Sequence, residues 1–176
     1  MTIPLSKKGF TLLEVILAIT ILTLAAGGSF VLIQQTVGSV SQVQSRLIAS
    51  YLLQEGIEII KNIRDGNWLK GNDFEAGLDA GDWEIDYNDT ALTSCPFPCD
   101  YNNNLRFLKI DGQFYNYSEG ADTRFKRKIT ISDKVDLDDP PDGKIDKFKV
   151  VVEVLWKERV KIHSVSTQEF LYNWNK

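Results

Sequence analysis

The chain has 176 residues, 43% of them hydrophobic and 25% charged, a composition that excludes wholesale disorder and fits one modest domain with an appendage. Its formal net charge is −4 and its positive residues form no dense tract, which argues against a dedicated nucleic-acid surface and leaves no nucleic-acid partner expected. Charge is sharply segregated: from Phe10 to Ser45 the only ionisable side chain is Glu14.

The first element is the apolar run FTLLEVILAITILTLAAGGSFVLI, Phe10 to Ile33, of 24 residues. As a helix it measures about 36 Å, enough to cross a hydrocarbon core of ~30 Å. A domain of this size seldom hides a helix that is apolar on every face, so membrane insertion is expected, and a single such run excludes a multi-pass protein. A secretory signal peptide would place a short apolar stretch before a small-residue cleavage site. Here the basic pair Lys7-Lys8 and Gly9 precede a longer run with no A-x-A-like exit, Ala25-Ala26-Gly27-Gly28 being the nearest candidate. Lys7 and Lys8 hold the amino end in the cytoplasm and put the remainder outside.

Glu14 is the anomaly. A carboxylate within a membrane helix costs about 2.5–3.5 kcal/mol on insertion scales. One reading is a near-interface acid that snorkels or protonates. The other is an acid that awaits a cation from another molecule. A cut between Gly9 and Phe10 would create an α-amino group at Phe10 and make Glu14 the fifth residue. A neighbouring copy's amine would then neutralise the carboxylate where solvent screens poorly.

The stretch Lys7-Lys8-Gly9-Phe10-Thr11-Leu12-Leu13-Glu14-Val15 resembles the prepilin signature of type IV pilins and type II secretion pseudopilins. The resemblance covers only the leading segment of the chain. It implies that a membrane prepilin peptidase cleaves after Gly9 and N-methylates Phe10, and that Glu14 is the assembly glutamate. It also implies other partners: further copies or other pilin subunits, and an assembly platform of a pilus or secretion system. The implied location is the inner membrane, crossed once, with the carboxyl-terminal part outside, and later a surface filament or periplasmic pseudopilus. Many pilins carry a proline beyond the glutamate where the helix loosens in the filament. This chain has none there; Gly27-Gly28 is the substitute, each glycine weakening a helix by ~1 kcal/mol relative to alanine.

Beyond Ile33 the helix is expected to continue. Ile33, Val37, Val40, Leu47, Leu52 and Ile59-Ile60 recur at three- and four-residue steps among polar residues. The reading is one helix from Thr11 to Arg64, amphipathic in its outer half, ended by Asp65-Gly66-Asn67. Gly38 and Gly56 lie within it without breaking it. The domain plan is a leader at 1–9, a membrane-spanning part at 10–33, an amphipathic outer half at 34–64 and a β-rich head at 65–176.

In the head, strands are predicted at Asp82–Tyr87, Leu105–Ile110, Gln113–Tyr117, Lys128–Ser132, Lys147–Trp156 and Val160–Phe170. Asp111-Gly112 marks a hairpin, and a turn is expected near Lys157-Glu158-Arg159. Short links imply an antiparallel sheet packed on the helix, so the fold class is α+β, a pilin-like layout. The basic cluster Arg124, Lys126, Arg127, Lys128 reads as a solvated strand edge that discourages aggregation.

Two local features invite a chemical reading. Cys95-Pro-Phe-Pro-Cys99 is the whole cysteine complement, and outside the cytoplasm such a pair is expected as a small structural disulfide. Zinc would need two more ligands, and a redox motif would have two intervening residues rather than three. The stretch Asp136-Leu-Asp-Asp-Pro-Pro-Asp-Gly-Lys-Ile-Asp146 offers oxygens at alternating positions, yet lacks EF-hand spacing and its terminal glutamate. It stands between a calcium loop and a solvated turn, and no metal or other cofactor is assigned.

No G-x-S-x-G, P-loop lysine or H-E-x-x-H motif occurs, and there is one histidine, so no catalytic residue is assigned. The leading expectation is a structural subunit of a helical filament. The alternatives are a minor pseudopilin of a type II secretion or DNA-uptake system, and a membrane-anchored binding module that does not polymerise. For the module, Trp68, Trp83 and Trp174 are the candidate adhesive aromatics, although core packing is the commoner fate of tryptophan.

Overall fold

A computed structural model describes residues 9–138 and 140–174. The chain divides into two units, residues 1–45 and 46–176. In the first, α1 begins: this helix spans Leu12–Leu69, and residues 12–44 are exposed on every side. Thr11 caps it, its Oγ1 accepting the Glu14 N–H at 3.2 Å while Val15 N–H bonds Thr11 O. Helical hydrogen bonding continues through Gly27-Gly28, and threonine and serine hydroxyls turn back onto the preceding carbonyls, as Thr20 does to Ile16 O and Ser29 to Ala25 O. Those hydroxyls thereby find partners within the helix itself, which an apolar surround would require.

In the second unit the remainder of α1 buries one stripe. Ala49, Leu52, Leu53, Ile57 and Ile60 follow the three- and four-residue steps of a helix face and meet Ile129, Ile131, Phe148, Val150, Val152, Val154 and Trp156. Leu47, expected in the stripe, is exposed. The sheet carrying those residues has strands β1 (Gly81–Glu84), β2 (Thr93–Ser94), β6 (Phe125–Val135), β7 (Lys147–Glu158) and β8 (Lys161–Tyr172) in the order β2-β1-β6-β7-β8. All its neighbouring strands are antiparallel. A smaller sheet, in the order β4-β3-β5, is formed by β3 (Lys109–Asp111), β4 (Phe114–Asn116) and β5 (Ala121–Asp122). The layout is the α+β, pilin-like one: one long apolar amino-terminal helix whose outer part packs on an antiparallel sheet.

Strands β6 and β7 alternate because one face meets the helix. On β7, Phe148, Val150, Val152, Val154 and Trp156 are buried while the residues between them are only half-buried. The Asp111-Gly112 signal makes a two-residue hairpin, Asp111 facing Phe114 with Gly112 at φ 60°. The later turn falls at Arg159-Val160, between the paired Glu158 and Lys161.

Three expectations are corrected. The helix does not stop at Asp65-Gly66-Asn67; it runs five residues past Arg64, to Leu69. Asn67 is useful inside it, since its buried amide donates to Phe74 O and Ala76 O. The true end is a Schellman cap: Asn72 N–H bonds Asn67 O, Gly71 N–H bonds Trp68 O, and Gly71 takes φ 72°. Second, the basic cluster is no solvated edge. β6 lies between β1 and β7, and Lys126 and Arg127 are buried. Third, Leu105–Leu108 is not strand; Leu105 and Leu108 are buried, but the segment's hydrogen bonds include ones to Glu84, Asn103, Thr123, Phe125 and Lys126 rather than a ladder.

Gly56 marks the closest approach of helix and sheet. A Cβ there would lie 2.8 Å from Val152 Cγ1 and 3.3 Å from Arg127 Cδ. Val152 is β-branched, buried and stiff, so it cannot yield cheaply. Gly56→Ala is therefore expected to destabilise the head by about 1–2 kcal/mol despite alanine's better helix propensity. Gly66→Ala, where nothing beyond the local helix backbone lies within 4 Å, should instead be neutral or stabilising in the same thermal-unfolding measurement on the detergent-solubilised chain.

Candidate functional site

The candidate site is the beginning of the chain. Gly9 and Phe10 lie ahead of α1 in neither helix nor strand, and Phe10 is 82% exposed. Accessible backbone outside regular structure is what a peptidase would need there. Lys7 and Lys8 lie outside the described residues. Two residues after Phe10 the helix starts, and Glu14 sits exposed in its first turn.

That position gives Glu14 a local role that the sequence reading missed. Thr11-Leu-Leu-Glu14 has the S/T-x-x-E spacing of a capping box, and the Thr11 half of it is formed. An exposed carboxylate in a first turn gains about 0.3–1 kcal/mol from the helix dipole. The dipole therefore repays only part of the insertion cost of about 2.5–3.5 kcal/mol.

The segment after Glu14 decides how it can exist. From Leu12 to Ile33 thirteen large apolar side chains are exposed. At ~1.5–3 kcal/mol each, holding them in water would cost about 20–40 kcal/mol. A whole domain is stable by only ~5–15 kcal/mol. Lipid or other apolar helices must cover this surface, and the helix is long and apolar enough to cross a membrane.

Residues 5–30 match the family model of the prokaryotic N-terminal methylation motif. The chain carries that motif. The match supports a type IV pilin-like substrate of prepilin peptidase, anchored in a membrane through its apolar helix, and it encloses Gly9, Phe10 and Glu14. No curated protein matches the chain, and no solved structure does.

The other predicted residues lie in the head. Cys95 and Cys99 form a disulfide, and Asn104 Nδ2 donates to Pro96 O and Pro98 O across the small loop. Phe97 stands at its tip, 95% exposed. Beneath, Leu105 and the two cysteines pack on Leu155. The Lys126 ammonium donates to Tyr101 O and Leu105 O and lies over the Phe107 ring at 4.2 Å. Burial lowers its pKa from the ordinary lysine value.

Carboxylate oxygens of Asp136, Asp138 and Asp142 lie within 4.8 Å of one another; Asp139 falls outside the described residues. Their oxygens serve the loop itself. Asp136 accepts the N–H groups of Asp138 and Gly143, Asp142 accepts Lys144 N–H, and Asp146 accepts Leu137 N–H. These are turn-forming bonds of the kind aspartate favours.

The tryptophans divide. Trp83 is half-buried with Nε1 donating to Asp79 O at 2.9 Å, a structural role. Trp68 is half-buried at the end of α1, bonded to Asn173 and stacked near Phe74. Trp174 packs edge-on against it with ring centres 4.6 Å apart, yet remains 73% exposed.

Proposed function

We propose that the chain is a type IV pilin-like structural subunit and not an enzyme. Prepilin peptidase cuts between Gly9 and Phe10 and methylates the new Phe10 amine. Residues 10–33 hold the processed chain in the inner membrane, amino end inside and head outside. An assembly platform then extracts it into a helical pilus or pseudopilus, where the leading helices of neighbouring copies replace the lipid. The observation that carries this reading is the exposed apolar helix that starts two residues after Phe10, inside the stretch matched by the methylation motif. Exchange between lipid and equally apolar helices costs little, so one surface serves both storage and assembly.

Glu14 supplies direction to the exchange. In lipid its carboxylate is expensive; beside a neighbour's Phe10 amine it is paired. Intact-mass measurement of the membrane form from cells containing the peptidase should show loss of residues 1–9 and gain of one methyl group. A mature protein that still begins at Met1 would overturn the proposal. Sheared surface filaments containing the chain separate a polymer subunit from an anchored binding module, which would be processed without polymerising.

A further inference from the structure

The head is polarised along its strands. Register places Phe125, Trp156 and His163 side by side towards one end of the sheet, and Val135, Lys147 and Tyr172 at the other. The first end closes in the β7–β8 turn, Lys157-Glu158-Arg159-Val160-Lys161, with three basic residues to one acid. Lys157, Arg159 and Lys161 are exposed, Val160 is 90% exposed, and Arg159 sits at φ 55°, the tip of a tight two-residue bend. Such a turn is a rigid presentation of one guanidinium and two ammonium groups.

The opposite end holds a cleft of about 260 Å³ where the end of α1 meets the β6–β7 loop and the residues after β8. It is lined by Trp68, Phe74, Asp73, Asp142, Asn173 and Lys144, with Asn72 beside them. Aromatic rings next to two carboxylates suit a planar cation, which can stack and bond at once. The Trp68 ring already takes one guanidinium, that of Arg64, at 4.8 Å from its centre. Asp136 and Asp138, adjacent to Asp142, extend the negative field beyond the cleft, and the lining lysine is outnumbered. The volume is below the ~300–1,000 Å³ of pockets for drug-sized molecules, which favours a side chain over a free ligand.

We infer that the occupant is a second copy of this chain: the β7–β8 turn of one head, led by Arg159, docks in the Trp68–Asp142 cleft of the next. The two surfaces have opposite charge, lie at opposite ends of one sheet, and belong to every copy. A contact between different patches of identical subunits repeats from copy to copy and, where its rotation does not close a ring, extends a helical filament, which an isologous pair cannot do. The inference rests on the assembly reading above and adds to it a head-to-head-neighbour contact independent of the leading helices.

The test uses the full chain in cells that assemble it. Val160→Cys combined with Asn72→Cys adds two exposed thiols to a protein whose own cysteines are already paired. Sheared filaments of the double variant should show a ladder of covalent dimers and higher multimers under oxidation, with neither single variant extending beyond dimers. Separately, Arg159→Asp and Asp73→Arg should each lower filament yield about tenfold, the equivalent of one lost charge contact, and together recover to within about twofold of the unmodified chain. Aspartate is among the residues that best tolerate the positive φ of position 159. Native filaments without the ladder, unaffected single reversals, absence of recovery, or cross-linking to a different protein would overturn the docking while leaving the assembly reading in place. Failure of the unmodified chain to enter filaments would overturn the assembly reading itself, and this contact with it.

Discussion

Glu14→Ala is expected to abolish filaments while leaving processing, membrane insertion and head folding intact. The magnitudes separate two roles. If Glu14 only helps its own helix begin, its removal forfeits about 0.3–1 kcal/mol of dipole interaction, less than about a fivefold effect. If its carboxylate pairs with the Phe10 amine of an adjoining copy in apolar surroundings, deletion strands a buried cation at about 3–5 kcal/mol per contact. That is about two to four powers of ten in each subunit-to-subunit equilibrium. Insertion should, if anything, become easier, because an acid leaves the hydrocarbon. Thr11→Ala is the matched control: it removes the cap to Glu14 N–H, costs the helix about 1 kcal/mol, and leaves the carboxylate in place. Filament yield after shearing, normalised to processed protein in the membrane, reads both variants. Glu14→Ala filaments at the unmodified level would end the pairing role.

Much of this architecture could be read from residues, because the signals involved are periodic or chemically narrow. A 24-residue stretch with one charge admits few interpretations, and Asp111-Gly112 is a hairpin signal that geometry nearly dictates. The motif around Gly9, Phe10 and Glu14 was equally legible, being a fixed order of residue types rather than a tendency. What escaped depends on partners distant in sequence. Asp65-Gly66-Asn67 resembles a stop signal until Phe74 and Ala76 come round to accept hydrogen bonds from Asn67. The better stop signal was Gly71, which alone in that region adopts the left-handed conformation a Schellman cap requires. β2 and β5 have two residues each, too few to express a period. The cleft at the end of α1 was invisible because Trp68, Asp142 and Asn173 come from three separate parts of the chain. The basic cluster was misjudged for a related reason: four cations in five residues suggest solvent unless buried carbonyls and a glycine are waiting for one of them.

Arg127 is that residue, and its removal should cost the head more than any surface change. Its side chain is 0% exposed, with Nη1 donating to Leu52 O at 3.1 Å and Nη2 to Ile85 O at 2.6 Å. Glu55 Oε1 lies 3.2 Å from Nη1, close enough to pair though not aligned as a hydrogen bond; that oxygen is buried, while the Glu55 side chain as a whole is 32% exposed. One guanidinium thus fastens α1, the end of β1 and the central strand β6. It reaches the helix backbone because Gly56 has no side chain in the way. Arg127→Ala opens a cavity and strands Ile85 O, while Glu55, 32% exposed, can turn its charge to water in this variant as in the next; the expected loss is about 3–5 kcal/mol. Arg127→Met refills the volume, and Leu52 O keeps its helical partner, so the loss should shrink to about 1–3 kcal/mol for the orphaned Ile85 carbonyl. Chemical denaturation of the detergent-solubilised chain, followed through its tryptophans, measures both. Gly56→Ala presses on the same side chain, so its cost should fall in the Arg127→Ala background; strict additivity would show that the glycine and the arginine do not share this contact.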